Sequence, residues 1–257
     1  ELVHGIDVSA TCYFMAPVRL RGAVRAAYAA HGVRNFVVDH VDELHRVVAE
    51  LPGNGIVIFV RMATNNPDAT YNLSEKFGAS HADTVALLRE VANIGMQPAL
   101  AFNTGSLVRR PEAFVAALEQ SQAVLEEAGV AIRQLDVGGG FPSDYPGMKS
   151  EPWQAFFDAI ESTRQRLPLL RDLELHAEPG RALIANGMSL LVQVLHRAGT
   201  RLYLNDGIWG SMIEPVLSKG ELRYPSRVFR DTTPVTGDDI DYEVFGPTCD
   251  SMDRLPA

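Results

Sequence analysis

Short apolar runs rich in Val, Ile and Phe alternate with longer amphipathic stretches through the first two-thirds of the chain. Runs at 12–15, 35–38, 56–61, 97–102, 133–137 and 173–177 have the length and composition of strands. The segments between them, roughly 17–31, 41–51, 81–94, 111–128 and 153–167, carry helical patterning. Pro17, Pro111 and Pro152 stand near helix starts, where a missing N–H costs nothing. Gly32, Gly95 and Gly129 lie just past helix ends, and Ser80 and Ser150 are candidate N-caps.

Strand–helix alternation of this kind predicts a parallel sheet with helical crossovers, as a barrel or a doubly wound sheet. Six strand–helix steps are legible, where a closed barrel has eight. After about residue 180 the texture changes. Strands are predicted at 183–196, 201–204, 224–229 and 242–245, separated by turns such as Arg197-Ala198-Gly199-Thr200 and Thr236-Gly237-Asp238-Asp239. The expected division is therefore a partial β/α barrel over 1–182 and a partial antiparallel β domain over 183–257.

A length of 257 residues accommodates one large domain or two smaller ones, and 46% hydrophobic with 21% charged residues excludes global disorder, collagen and coiled coil. Lys and Arg number 23 against 32 Asp and Glu, a net charge of −9 that argues against nucleic acid and anionic membrane surfaces as partners. The longest apolar run, Ile56-Val57-Ile58-Phe59-Val60, is far short of the ~20 residues of a transmembrane helix. Two cysteines, Cys12 and Cys249, make no disulfide framework, so a reducing cytoplasm is the expected compartment. Only three lysines are present (Lys76, Lys149, Lys219). The chain opens on Glu1 and closes on Arg254-Leu255-Pro256-Ala257, which reads as a fragment at both ends.

The sharpest chemical signal is Leu135-Asp136-Val137-Gly138-Gly139-Gly140-Phe141-Pro142. Three glycines ending an apolar strand allow a tight backbone turn that offers N–H groups to an anion; the competing reading is a plain strand-to-helix turn. One β/α unit later comes His176-Ala177-Glu178-Pro179-Gly180-Arg181. Arg181 has the fork that suits phosphate, and the alternative is a surface Glu–Arg pair of little consequence. Adjacent strands would bring both motifs around one phosphate.

With these two motifs in order, the chain resembles the fold-type III pyridoxal-phosphate decarboxylases, the ornithine/diaminopimelate/arginine decarboxylase family. Further stretches are similar to family motifs: Arg61-Met62-Ala63-Thr64 through Ser74-Glu75-Lys76-Phe77-Gly78, Asn103-Thr104-Gly105-Ser106, Asn205-Asp206-Gly207-Ile208-Trp209-Gly210-Ser211, and Gly246-Pro247-Thr248-Cys249-Asp250-Ser251-Met252-Asp253. The resemblance implies an α/β fold, a (β/α)8 TIM-type barrel lacking its first strands, with part of a C-terminal antiparallel β domain.

It also implies roles. Gly138, Gly139, Gly140 and Gly180, with Ser106 and Arg181, would hold the phosphate of pyridoxal 5'-phosphate. Glu178 would face the pyridine nitrogen and Arg61 would lie near the ring. A carboxylate at that nitrogen makes the cofactor a better sink for the carbanion left by loss of CO₂. Asp206 and Asp250 would take the distal ammonium of a basic amino acid. Cys249 would reprotonate the α-carbon, across the interface of a homodimer with shared active sites. The Cys-Asp pair tilts toward ornithine or lysine, converted to the diamine in polyamine biosynthesis, where the diaminopimelate branch has Cys-Glu; a decarboxylase of the diaminopimelate or arginine type is an alternative.

Three departures accompany the resemblance. The family holds its cofactor on a lysine at the end of the first barrel strand, and no such segment is present. Asn103 stands where the family has a histidine that stacks on the ring. The sequence ends soon after Cys249, before a family tyrosine near the phosphate. An inactive relative that binds a partner is the alternative expectation. The seven histidines show no paired metal-ligand spacing, and Asp238-Asp239-Ile240-Asp241 reads as a solvated turn, so no metal is expected.

Overall fold

The computed structural model describes residues 2–52, 54–66, 69–71, 73–237 and 240–256. These form two compact units, one reaching Phe141 and resuming over Glu151–Gly180, the other comprising Pro142–Ser150 and the chain from Arg181 onward. Asp238 and Asp239, and with them part of the 236–239 turn, lie outside the described residues.

The first unit runs α1 (Leu2–Ile6), β1 (Tyr13–Phe14), α2 (Ala23–His31), β2 (Asn35–Val38), α3 (Val41–Ala49), β3 (Val57–Met62), α4 (His81–Asn93), β4 (Gln97–Phe102), α5 (Glu112–Ala128), β5 (Gln134–Asp136), α6 (Trp153–Arg166) and β6 (Glu174–His176). Local chemistry sets several boundaries. Ser80 caps α4 by accepting the Asp83 N–H, and Gly32 and Gly129 end α2 and α5 at φ 65° and 62°, a conformation glycine adopts without strain. Ser150 does not cap α6; Pro152 holds that position. Helix α2 begins at Ala23, well after Pro17.

All six strands are parallel, and each pairs with its sequence neighbour in the order β1-β2-β3-β4-β5-β6. A flat sheet would hold β1 and β6 about 24 Å apart. Instead the Tyr13 ring on β1 lies 5.1 Å from the His176 ring on β6, and both touch Phe59. The sheet is therefore curled, as a (β/α)8-type barrel wall is. Small Ala99 and Ala101 on β4 join Val37 and Phe59 in the interior, leaving room for those rings. The outer faces of the strands pack on the helices through fully buried Phe36, Ile58, Leu100, Leu44 and Leu88. Phe114, Phe141 and Phe156 form an aromatic cluster beneath α5 and α6.

The second unit contains α7 (Arg181–Ile184), β7 (Val194–Ala198), β8 (Arg201–Leu204), α8 (Glu214–Leu217), β9 (Phe229–Arg230), β10 (Thr233–Pro234) and β11 (Glu243–Phe245). β7 and β8 form an antiparallel hairpin, as do β9 and β10. β11 adds to the other edge of β8 in parallel. The strand expected over 183–196 begins only at Val194, preceded by the single helical turn α7. The one expected over 224–229 reduces to the short β9.

Candidate active site

The strand register places four inward positions at one level: Arg61 pairs with Ala101, Ala101 with Asp136, and Asp136 with His176. Asp39, one residue beyond β2, neighbours the same level and accepts the Gly78 N–H at 2.9 Å. Just beyond, at the carboxyl ends of β4, β5 and β6, come Asn103, Gly138–Gly139–Gly140 and Glu178. This end of a β/α barrel is where sites are built.

The glycines sit where a side chain cannot. A Cβ on Gly139 would be 2.6 Å from the Glu178 carbonyl oxygen, and one on Gly140 would be 2.6 Å from that of Gly105. Gly138 adopts φ 70° and Gly140 φ 96°. The loop is tied on both sides. Glu178 N–H donates to the Gly138 carbonyl at 2.8 Å, and Val108 N–H donates to that of Gly140 at 3.0 Å. Gly138 N–H donates to Asp136 Oδ1 at 2.7 Å. The N–H groups of Gly139 and Gly140 meet no acceptor among the described residues, although Gly139 is buried.

The Asn103 loop closes beside them. Thr64 donates to the Asn103 carbonyl at 2.7 Å, and Asn103 Oδ1 accepts the Gly105 N–H at 2.9 Å, which folds the amide back onto its own turn. Ser106 exchanges backbone hydrogen bonds with Tyr71.

The electrostatics are dominated by carboxylates around one guanidinium. Burial and the nearby charge of Asp136 push the Glu178 carboxyl up to about 7, against the pull of Arg61. Glu178 as a residue is still exposed, so water screens part of this effect. Asp136 is itself raised by burial, which the Gly138 N–H, His176 and Arg61 oppose. Arg61 lies over the Phe77 ring at 5.3 Å, facing Glu178, Asp136 and Asp39.

Gly180 ends the first unit, and the expected residues after it belong to the second. The Arg181 fork engages both oxygens of Glu214, and its Nη1 donates to the Tyr145 hydroxyl at 2.9 Å. Asp206 accepts the Gly207 and Ser211 N–H groups, which with the Ser211 hydroxyl hold it below the ordinary carboxylate range. Cys249 and Asp250 are exposed, with Asp250 accepting the Met252 N–H at 2.9 Å. Asp253 joins the two loops: buried, it accepts the Ile208 N–H, the Thr248 N–H and the Thr248 hydroxyl. Asp206 and the Cys249-Asp250 pair thus flank a single staple.

Asp136, His176, Glu214, Tyr145 and Asp253 are the residues that motif reading passed over. An acid at an inward position of an otherwise apolar strand was the available signal for Asp136, because an ion there needs partners. No sequence signal joined Arg181 to Glu214.

Residues 1–185 match the family model described as the pyridoxal-dependent decarboxylase, pyridoxal binding domain, and the chain belongs to that family. It is 31% identical over 243 residues to the decarboxylase flvG of Aspergillus flavus, covering 86% of this chain and 54% of that protein. It is 26% identical over 294 residues to the ornithine decarboxylase of Neurospora crassa, covering 98% and 58%. Among solved structures it is similar to the lysine/ornithine decarboxylase of Vibrio vulnificus complexed with putrescine, at a TM-score of 0.75 and 28% identity over 94% of this chain and 62% of that one. The chain therefore spans little more than half the length of the curated relatives.

Pyridoxal phosphate is the cofactor of this domain family, and the first unit fits it. Two adjacent N–H groups without acceptors among the described residues suit a phosphate, and a carboxyl titrating near neutrality suits a pyridine nitrogen. None of the three lysines lies on a barrel strand: Lys76 is in the 74–76 turn, Lys149 in the 142–150 segment and Lys219 follows α8. Among the described residues no cluster suits a metal, and no helix is long and apolar enough to cross a membrane.

Proposed function

We propose that the full-length protein is a pyridoxal-phosphate-dependent decarboxylase of a basic amino acid, converting ornithine or lysine to the diamine in polyamine biosynthesis. The observation that carries this reading is the convergence of Arg61, the Gly138–Gly140 loop and Glu178 at the ends of three strands of one sheet.

Bound pyridoxal phosphate supplies the electron sink that makes loss of CO₂ feasible. The chain's own residues do the rest. Gly139 and Gly140 donate to the phosphate, with Gly138, Ser106, Gly180 and Arg181 completing its surroundings. Glu178 holds the proton shared with the ring nitrogen, Arg61 limits the negative charge around it, and Asn103 borders the ring. Asp206 and Asp250 pair with the distal ammonium of the substrate, two carboxylates answering one cation. Cys249 delivers the proton to the α-carbon across the interface of a homodimer. The partition into a barrel domain over 1–182 and a β domain over 183–257, and a cytoplasmic location, belong to the same proposal.

The relatives' names support this substrate class, as does Asp250 next to Cys249. The test is release of CO₂ from ornithine, lysine, arginine and diaminopimelate by the full-length protein with pyridoxal phosphate. Turnover of ornithine or lysine, abolished in Cys249→Ala, is expected. Coenzyme binding with no release from any of the four would overturn the assignment.

A further inference from the structure

Asp136 is 3% exposed on the inner face of the barrel, an unusual place for an acid. It has two structural links to the rim above it. Its Oδ1 accepts the N–H of Gly138, the first glycine of the loop, at 2.7 Å. Its register partner on β6 is His176, two residues before Glu178 on the same face. His176 lies against the rings of Tyr13 and Phe59.

We propose that Asp136 is a positioning residue for the coenzyme: it fixes the start of the glycine loop and, as a second negative charge facing Glu178, makes coenzyme capture proton-linked. The inference rests on the proposed coenzyme site and adds a residue to it.

The chemistry follows from the groups around the pair. Asp136 and Glu178 face each other from β5 and the end of β6, and Arg61 on β3 is the one guanidinium among them. Asp39 beyond β2 also faces Arg61, and Tyr13 on β1 faces Asp136 and Glu174. His176 lies 3.7 Å from Glu174 Oε1 and favours the charged form of Asp136. Two carboxyls sharing one guanidinium do not both ionise readily, and because the Gly138 N–H, His176 and Arg61 all favour the charge on Asp136, the proton settles on Glu178. A carboxyl holding a proton would suit the ring nitrogen of the proposed coenzyme. With the coenzyme bound, Glu178 would give up this proton from its carboxyl oxygen to the ring nitrogen and remain as the carboxylate that faces it. No further reactant is required.

The two halves of the proposal separate by substitution. Asp136→Asn keeps an acceptor for the Gly138 N–H and removes the charge, whereas Asp136→Ala removes both. His176→Gln removes one of the groups that favour the charge on Asp136. The experiment titrates each full-length protein with pyridoxal phosphate by calorimetry in two buffers of different ionisation enthalpy, from pH 5 to 9, and reads the protons exchanged on binding. The phosphate contributes the same step in every protein, and Glu178→Gln identifies the step that belongs to Glu178.

In the wild type that step falls near pH 7. It moves down by about one unit in Asp136→Asn, and by less in His176→Gln. Affinity stays within about threefold in Asp136→Asn and drops about tenfold in Asp136→Ala, because a buried N–H is left unsatisfied. A Glu178 step at the same pH in the wild type and Asp136→Asn overturns the proton linkage. Equal affinity in Asp136→Ala and Asp136→Asn overturns the positioning. Failure of the wild type to take up pyridoxal phosphate at any pH overturns the coenzyme reading itself, and this inference with it. Carboxyl-carbon NMR of Glu178 without coenzyme, assigned through Glu178→Gln, follows the same shift where a variant binds too weakly for calorimetry.

Discussion

Tyr13 on β1 and His176 on β6 meet across the interior of the curled sheet, ring centroids 5.1 Å apart and planes inclined at 49°. These are the first and last strands in the sheet order, so the pair reports the curvature directly. Phe59, centroid 6.0 Å from Tyr13, forms the third side of the contact. Replacing Tyr13 with Ala removes the ring that fills this space and should destabilise the first unit by about 2–3 kcal/mol. Tyr13→Phe should cost much less. Urea denaturation monitored by circular dichroism distinguishes the two.

Gly139 has no room for a methyl group. The obstacle is the Glu178 backbone carbonyl, 2.6 Å from a Cβ at that position, which no rotamer change relieves. Gly139→Ala should push the β5 and β6 ends apart at about 1–3 kcal/mol and abolish pyridoxal-phosphate binding. Gly32→Ala provides the contrast: its φ of 65° is unfavourable for alanine but the space around it is open, so a loss of about 1 kcal/mol with coenzyme binding retained is expected. Thermal melts and fluorescence titration with the coenzyme read both outcomes.

The Glu178 carboxyl gives the stability a definite pH dependence. Its folded-state value of about 7 lies above the ordinary 4.5, so the folded chain binds this proton more tightly than the unfolded chain. The contribution is fully present below 4.5, is lost progressively as pH rises from 4.5 to about 7, and stays lost above that. Glu178→Gln should therefore raise the melting temperature at pH 8 and leave it nearly unchanged at pH 4. Solvent at the rim limits the gain to no more than about 1 kcal/mol. Melting curves of both proteins across this range, without coenzyme, check the sign.

Asp253 accepts three hydrogen bonds while only 1% exposed. Asp253→Ala leaves the N–H groups of Ile208 and Thr248 without their acceptor, at a cost of about 2–4 kcal/mol. The 205–211 and 246–253 loops should then become sensitive to protease before the first unit does. Despite its burial, these donors hold the carboxyl below its ordinary 3.8, so the stabilisation is present at neutral pH and is lost only as acid takes the pH below that value. Limited proteolysis with mass mapping, at pH 7 and pH 3, follows both effects.

The barrel strands were legible because each is an apolar run closed by a turn or a cap. Ser80, Gly32 and Gly129 act as their chemistry predicts. The second unit was less legible. Leu183, Ile184, Met188 and Leu191 form an apolar series that reads as strand, yet all four are exposed and only Val194 onward enters a sheet. Hydrophobic patterning reports burial, and it misleads where apolar side chains are not covered. At the site, the glycines and Glu178 were visible as motifs. The charge balance among Asp136, His176 and Arg61 was not, since it depends on which residues of different strands share a level. The engagement of Arg181 by Glu214 was hidden for the same reason, the two lying far apart along the chain.

The neighbour-to-neighbour order of the six parallel strands has a consequence for how the molecule is made. Every strand docks onto the one synthesised just before it, so the wall can assemble progressively as the polypeptide emerges from the ribosome, without waiting for distant sequence. The meeting of Tyr13 with His176 has to come last, and the chemistry-bearing rim takes its final shape only when that late contact forms.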